Sequence, residues 1–160
     1  MKGRDLGSVL VLIALVAATG MARAQLAPNA PIDKPQPLRD DQAAAFEAAI
    51  APYVAEAKRS YPTARDRFLR GLPNGQHFFV VTRLRDPDGK WEQSFIRVLS
   101  IQNHRISGVI SSRLNLVKTY APGQKYQLEE DDILDWLIAM PDGSEEGNVV
   151  GKFLDNYRPR

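Results

Sequence analysis

The chain predicts an α+β fold, in which an N-terminal helix and a second short helix pack on a curled, mainly antiparallel sheet of about five strands. Three observations carry that expectation. Apolar residues recur at spacings of three and four through Phe46, Ile50, Tyr53, Val54 and Ala57, which is one face of a helix. From His77 onward the period changes to two, the repeat of a strand. Turn-forming clusters then interrupt the apolar runs at hairpin spacing, notably Asp86-Pro87-Asp88-Gly89 and Pro122-Gly123.

Ahead of that domain stands a leader of different character. Lys2 and Arg4 precede a short apolar run from Val9 to Ala18, Gly20 breaks it, and Ala22-Arg23-Ala24 places small residues before Gln25. This is the pattern of a secretory signal peptide cleaved between Ala24 and Gln25, and it predicts a periplasmic or secreted protein. The run is shorter than the roughly 20 apolar residues of a membrane span, so no stable insertion is expected after cleavage. Residues 25–39 contain Pro28, Pro31, Pro35 and Pro37. They read as an extended, polyproline-like spacer, with a docking peptide as the functional alternative. Residues 40–160 then form one domain.

Charge and cysteine content exclude several classes of function. The whole chain has 21 Lys and Arg against 19 Asp and Glu. Removing Lys2, Arg4, Arg23 and Asp5 with the signal leaves equal numbers of each sign. The basic excess therefore belongs to the leader and implies no anionic partner. Cysteine is absent, which rules out disulfides, thiol catalysis and thiolate metal sites. The charges that remain are uneven, with a basic stretch from Gln76 to Leu128 followed by an acidic one from Glu129. Pairing within the fold is the simplest account of that asymmetry, and a dipolar surface that orients a partner is the alternative.

Each element has its local reason. Asp40-Asp41 suits the start of the first helix, and Pro52 inside the stripe predicts a kink or a division into two. Tyr61-Pro62 should end it, with Thr63-Ala64-Arg65-Asp66 resembling a capping box for a short helix closing at Gly71. The first strand, from His77, is apolar on both faces and should be central. The second places Trp91, Phe95, Leu99 and Ile101 on one face. Gln102-Asn103-His104 turns into a third strand through Ile106, Gly108 and Ile110. Tyr126 and Leu128 mark a fourth strand and Ile133 to Met140 a fifth, ended by Pro141-Asp142-Gly143. Residues 147–157 fit either a short helix or an edge strand.

Asp135 is the sharpest chemical candidate, because a carboxylate inside an apolar strand must be hydrogen-bonded or shifted in pKa if it is buried. As function it would be a general acid or base, with Glu92 or an arginine as partner. As structure it would accept backbone N–H groups or pair with an arginine such as Arg97. Trp91, Arg97 and Trp136 are the candidate binding residues. Glu129-Glu130-Asp131-Asp132 lacks the alternation of a calcium loop, and His77 and His104 lack metal-ligand spacing, so neither metal nor cofactor is expected. No phosphate loop, dinucleotide fingerprint or nucleophile elbow occurs, and the aromatics near Arg83, Arg85 and Arg97 match no nucleic-acid motif.

Longer segments carry a family resemblance. Ala121-Pro122-Gly123-Gln124-Lys125-Tyr126, Ile133-Leu134-Asp135-Trp136-Leu137-Ile138, Asp142-Gly143 and Gly147-Asn148 resemble the YegJ-like family, a domain of unknown function. Trp91-Glu92-Gln93-Ser94-Phe95-Ile96 and Ile106-Ser107-Gly108-Val109-Ile110 are similar to its strand segments. The chain departs from it at Gln93 and Phe95, where the family more often has His and Trp, and at Val149-Val150. The resemblance implies the fold and brings no activity with it. Three functions stay open: a non-enzymatic module binding a protein or envelope component, a hydrolase or lyase using Asp135, and an immunity-type protein that binds a toxin.

Overall fold

The computed structural model describes residues 43–158. The signal pattern, its Ala24–Gln25 junction and the Pro-rich leader lie outside them. The order of elements is α1 (Ala43–Arg70), β1 (His77–Arg85), β2 (Trp91–Gln102), β3 (Arg105–Ile110), β4 (Lys125–Glu129), a 3-10 turn (Glu130–Asp132), β5 (Asp135–Ala139), β6 (Glu145–Gly147) and α2 (Val149–Leu154). All six strands pair antiparallel, in the order β4-β3-β2-β1-β5-β6. The fold is α+β as expected, with a sixth strand added by the short hairpin β5–β6.

The first helix corrects the expected division. It runs as one element past both Pro52 and Pro62, and the Thr63 segment belongs to it. Each proline removes one N–H and crowds the carbonyl four residues back, a cost of about 3 kcal/mol in an unsupported helix. Here Phe46, Ile50, Ala57, Tyr61 and Ala64 form a buried stripe that continues across both prolines. Burial of that stripe fixes the backbone on each side and outweighs the local penalty. The stripe is core packing, not an open groove.

The hairpin turns follow their local chemistry. Gly89 takes φ +89° in the Asp86–Lys90 turn, where the Asp86 N–H donates to the Lys90 carbonyl at 2.8 Å. Asn103 and His104, with φ of 50° and 59°, form the two-residue connection between β2 and β3. Both left-handed positions match the twist that a two-residue hairpin requires. The strand β1 lies between β2 and β5 and is buried on both faces from Phe78 to Thr82.

The face assignment expected for β2 holds for Trp91, Phe95 and Leu99 and fails at Ile101. The register shifts between Val98 and Ser100, so one residue is left without a partner there. That bulge reverses the alternation: Leu99 is 49% exposed, while Ile101 turns into the core. The bulge also bends the sheet. Glu129 pairs with Arg105 and Arg105 with Gln102, seven residues beyond Phe95, which faces Val81 and, through it, Asp135. In a flat sheet this offset and four strand spacings would put Glu129 about 30 Å from Asp135. Six peptide steps reach only about 20 Å. The sheet therefore coils, and the connecting segment crosses its inner face beneath α1. Ile133 is buried there, and the Thr82 hydroxyl donates to the Asp132 carbonyl at 3.0 Å.

The main core fills the inner face. Phe78, Val80, Leu84, Ile96, Val98, Ile106, Trp136 and Ile138 meet Ala57, Tyr61 and Ala64 of α1. A second group joins the start of α1 to α2, with Phe46 and Ile50 against Val150, Tyr53 stacked on Phe153 at 4.2 Å, and Trp91 beside them. A third group, Phe79, Leu137, Ala139 and Phe95, lies on the outer face.

Candidate functional site

Asp135 opens β5 and is 1% exposed. Its Oδ1 accepts the N–H of Trp136 at 2.8 Å, and its Oδ2 accepts those of Val150 at 2.7 Å and Gly151 at 3.4 Å. The donors on Oδ2 belong to the first turn of α2. The residue preceding that helix, Asn148, sits at φ 55° and makes no side-chain cap. Asp135 thus supplies from a neighbouring strand the acceptor that a helix start ordinarily takes from its own N-cap. Burial pushes its carboxyl up to about 6, while the backbone N–H groups of Trp136, Val150, Gly151 and Val149 act against that rise. Among the described residues no arginine shifts its carboxyl or pairs with it. Arg97 faces Phe79 across the β1–β2 ladder, and Leu137 lies beyond Phe79.

Glu92 performs a comparable task elsewhere. Its carboxylate accepts the N–H of Asn115 at 3.0 Å and that of Leu116 at 3.0 Å. Nearby, Asp86 accepts the N–H groups of Lys118 at 2.7 Å and Thr119 at 3.0 Å. Those bonds, led by the one from Lys118, hold the Asp86 carboxyl below its ordinary range. Two carboxylates from the β1–β2 hairpin region therefore clamp the segment 111–124, which contains neither helix nor strand. Asp135 and Glu92 do not form an acid–base pair. Asp135 shares its face of the sheet with Val81, whereas Glu92 pairs with Leu84 and leaves from the opposite face.

Trp136 is a core residue. It is 5% exposed, and its indole N–H donates to the Ala57 carbonyl at 3.1 Å and to the Ser60 hydroxyl at 3.0 Å. Trp91 lies under the Arg83 guanidinium, 5.2 Å from the ring centroid, and Arg83 is ion-paired with Glu47 of α1. Trp91 is half-buried against Phe46, Ile50 and Val150.

One polar cluster had no signature in the sequence. The Glu130 carboxylate accepts from Tyr61 Oη at 2.8 Å and Arg65 Nε at 2.6 Å, and meets His104 Nδ1 at 3.0 Å. Burial alone would raise Glu130, but the bonds from Tyr61 and Arg65 outweigh it and hold the carboxyl below its usual range. Burial and the Glu130 carboxylate together push the Tyr61 hydroxyl far up. The cluster fastens α1 to the β2–β3 turn and to the crossing segment, and Lys58 adds a bond to the Asp131 carbonyl at 2.7 Å. In the sequence Glu130 is one of four adjacent acids, and nothing local marks it as the paired one.

The remaining polar surface does not converge. A shallow depression on the outer sheet face is lined by Ser100, Gln102, Asn103, Arg105, Ser107 and Gln127. Arg105 is already paired with Glu129 at 2.6 Å, and Gln127 donates to Ser107 at 3.1 Å. Among the described residues no three His, Asp or Glu side chains gather to hold a metal ion, and no helix is long and apolar enough to cross a membrane. The chain matches no family model, curated protein or solved structure.

Proposed function

We propose that this chain is an exported, non-enzymatic binding module that engages a protein of the cell envelope through the segment 111–124. The observation that carries the reading is the clamp on that segment. A connection of this length without regular structure is ordinarily among the most mobile parts of a domain. Here Glu92 and Asp86 hold its backbone N–H groups at four successive points on either side of Val117. Val117 is buried in the main core, while Leu116 stands 47% exposed beside it. Holding an exposed leucine on a fixed backbone removes ordering entropy that binding would otherwise cost. Lys118 lies two residues away at the surface, its Nζ donating to the Asn115 carbonyl at 2.6 Å, and a cation there suits an apolar contact bordered by acidic groups on the partner.

Export rests on the signal pattern ending at Ala24, and the resemblance to the YegJ-like family adds no competing chemistry. A toxin held by an immunity-type protein is one form of partner that the reading accommodates. The hydrolase or lyase reading loses its support, because Asp135 and Glu92 both spend their oxygens on backbone N–H groups and lie on opposite faces.

A photo-crosslinking residue at Asn115, expressed in the native envelope, tests this. The expected result is a discrete adduct on a chain that begins at Gln25, and its disappearance when Leu116→Asp is added. The same crosslinker at Leu69, an equally exposed leucine at 50% on α1, should give none. No adduct at Asn115, or equal adducts at both positions, would contradict the reading.

A further inference from the structure

The sheet is open, and its two end strands differ in what they offer. At one end β6 is only three residues long, and α2 follows it closely. At the other end β4 runs five residues without proline, glycine or bulge, and among the described residues nothing pairs with its free side. The hydrogen bonds that bracket β4 show which way its backbone faces. The Ile110 N–H donates to the Gln124 carbonyl at 2.9 Å, and the Glu130 N–H donates to the His104 carbonyl at 2.9 Å. Even-numbered residues therefore turn their backbone groups toward β3, and Lys125, Gln127 and Glu129 turn theirs outward. An edge of this kind is a template for one more strand.

The side chains select the strand that fits. Lys125, Gln127 and Glu129 are all exposed on the outer face. Lys125 has no ion pair among the described residues, and Glu129 accepts from Arg105 on Oε1 alone, at 2.9 and 2.6 Å. A two-fold axis through Gln127 brings the edge against its own copy with Lys125 opposite Glu129, Gln127 opposite Gln127 and Glu129 opposite Lys125. These are the positions with outward N–H and C=O groups, so each opposed pair exchanges both backbone hydrogen bonds. On the inner face the same register sets half-buried Tyr126 opposite buried Leu128. Moving the register by two residues, the smallest step that keeps each side chain on its face, sets Lys125 or Glu129 opposite Gln127 instead. Charge blunts an edge when like signs meet. Here opposite signs meet.

We propose that this protein forms a two-fold dimer by antiparallel pairing of β4 with β4 of a second copy, which joins the two sheets into one. The inference goes beyond the binding reading at Leu116 and uses a different surface, so either can fail alone.

Sedimentation across a concentration series tests the assembly in the chain from Gln25 onward. The proposal expects the mass of two chains. Lys125→Glu sets like charges opposite each other twice and should raise the dissociation constant about tenfold or more. Adding Glu129→Lys to that variant should restore the dimer. The register is read separately, because the chain has no cysteine of its own. Opposed Cα atoms of a hydrogen-bonded antiparallel pair lie about 5.5 Å apart, within the span of a disulfide. Gln127→Cys should therefore form a disulfide between copies in air. Lys125→Cys should not, because its two copies lie about 15 Å apart in this register. One-chain mass at every concentration would overturn the proposal. So would a dimer that Lys125→Glu leaves equally tight, or one that crosslinks no faster at Gln127→Cys than at Lys125→Cys, because it would use another face or register. All the substituted side chains are exposed, so neither result depends on the folding of a core variant.

Discussion

Asp135→Ala is expected to lower the free energy of unfolding by about 4 kcal/mol at pH 4.5 and by about 2 kcal/mol at pH 7. The substitution leaves the buried N–H groups of Trp136 and Val150 without their acceptor. Each such loss costs about 1–3 kcal/mol. It also detaches α2, whose six residues are too few to stay helical without an anchor. The pH dependence follows from the raised carboxyl. Its folded pKa is about 6 against an ordinary value of 3.8. A carboxyl shifted upward contributes fully below its unfolded pKa, and that contribution is lost as the pH rises through the folded one. Wild type therefore surrenders part of the benefit of Asp135 between pH 4 and 7, and the alanine variant has none to surrender. His77 acts in the opposite sense across part of this window, since burial and then Arg97 hold its pKa down. It is present in both proteins and cancels in their difference. Urea unfolding of the pair at the two pH values reads the effect directly. Equal stability at both, with loss of some activity, would return Asp135 to the role of a catalytic acid.

Gly147→Ala is the second large effect, expected at about 3 kcal/mol or more. Gly147 ends β6 at φ +81°, a conformation that alanine rarely adopts. An added Cβ would lie against the Trp136 carbonyl oxygen and 2.9 Å from the Trp136 ring. That carbonyl already accepts the Asn148 N–H at 2.7 Å, at the junction leading into α2. The backbone cannot move aside without disturbing the β5–β6 pairing and the Asp135 anchor together. Gly89→Ala is the control. Its φ is +89°, but an added Cβ there meets nothing within 4 Å, so only the backbone cost of about 1 kcal/mol remains. Thermal unfolding of the two variants should separate them clearly, and near-UV dichroism of Trp136 should change only for Gly147→Ala. Similar losses in both would show that the close approach to Trp136 carries little.

How much of this was legible in the sequence depended on how local the cause was. The turns at Asp86–Gly89, Asn103–His104 and Pro122–Gly123 were readable, because a few adjacent residues set their dihedral angles. The buried stripe on α1 was readable for the same reason. Pro52 and Pro62 misled, because the local rule against them was outweighed by packing against strands many residues away. The bulge at Leu99 contains no glycine or proline, so nothing in the sequence announced that Ile101 would change faces. Asp135 could be read as buried and needing donors, yet the choice between catalysis and capping required the position of Val150. Glu92, Asp86 and Glu130 were less legible still. Their partners lie 23 to 69 residues away, and an isolated acid looks the same whether it faces water or a clamped backbone.

The central claim is that Glu92 and Asp86 turn an irregular segment into a fixed recognition surface. Hydrogen exchange at the amides of Asn115, Leu116, Lys118 and Thr119, in wild type and in Glu92→Gln, tests it most directly. The account predicts slow exchange at all four in wild type. In the variant, exchange should speed up at Asn115 and Leu116 and stay slow at Lys118 and Thr119, which Asp86 still holds. Exchange at unprotected rates in wild type, with no further change in the variant, would contradict it.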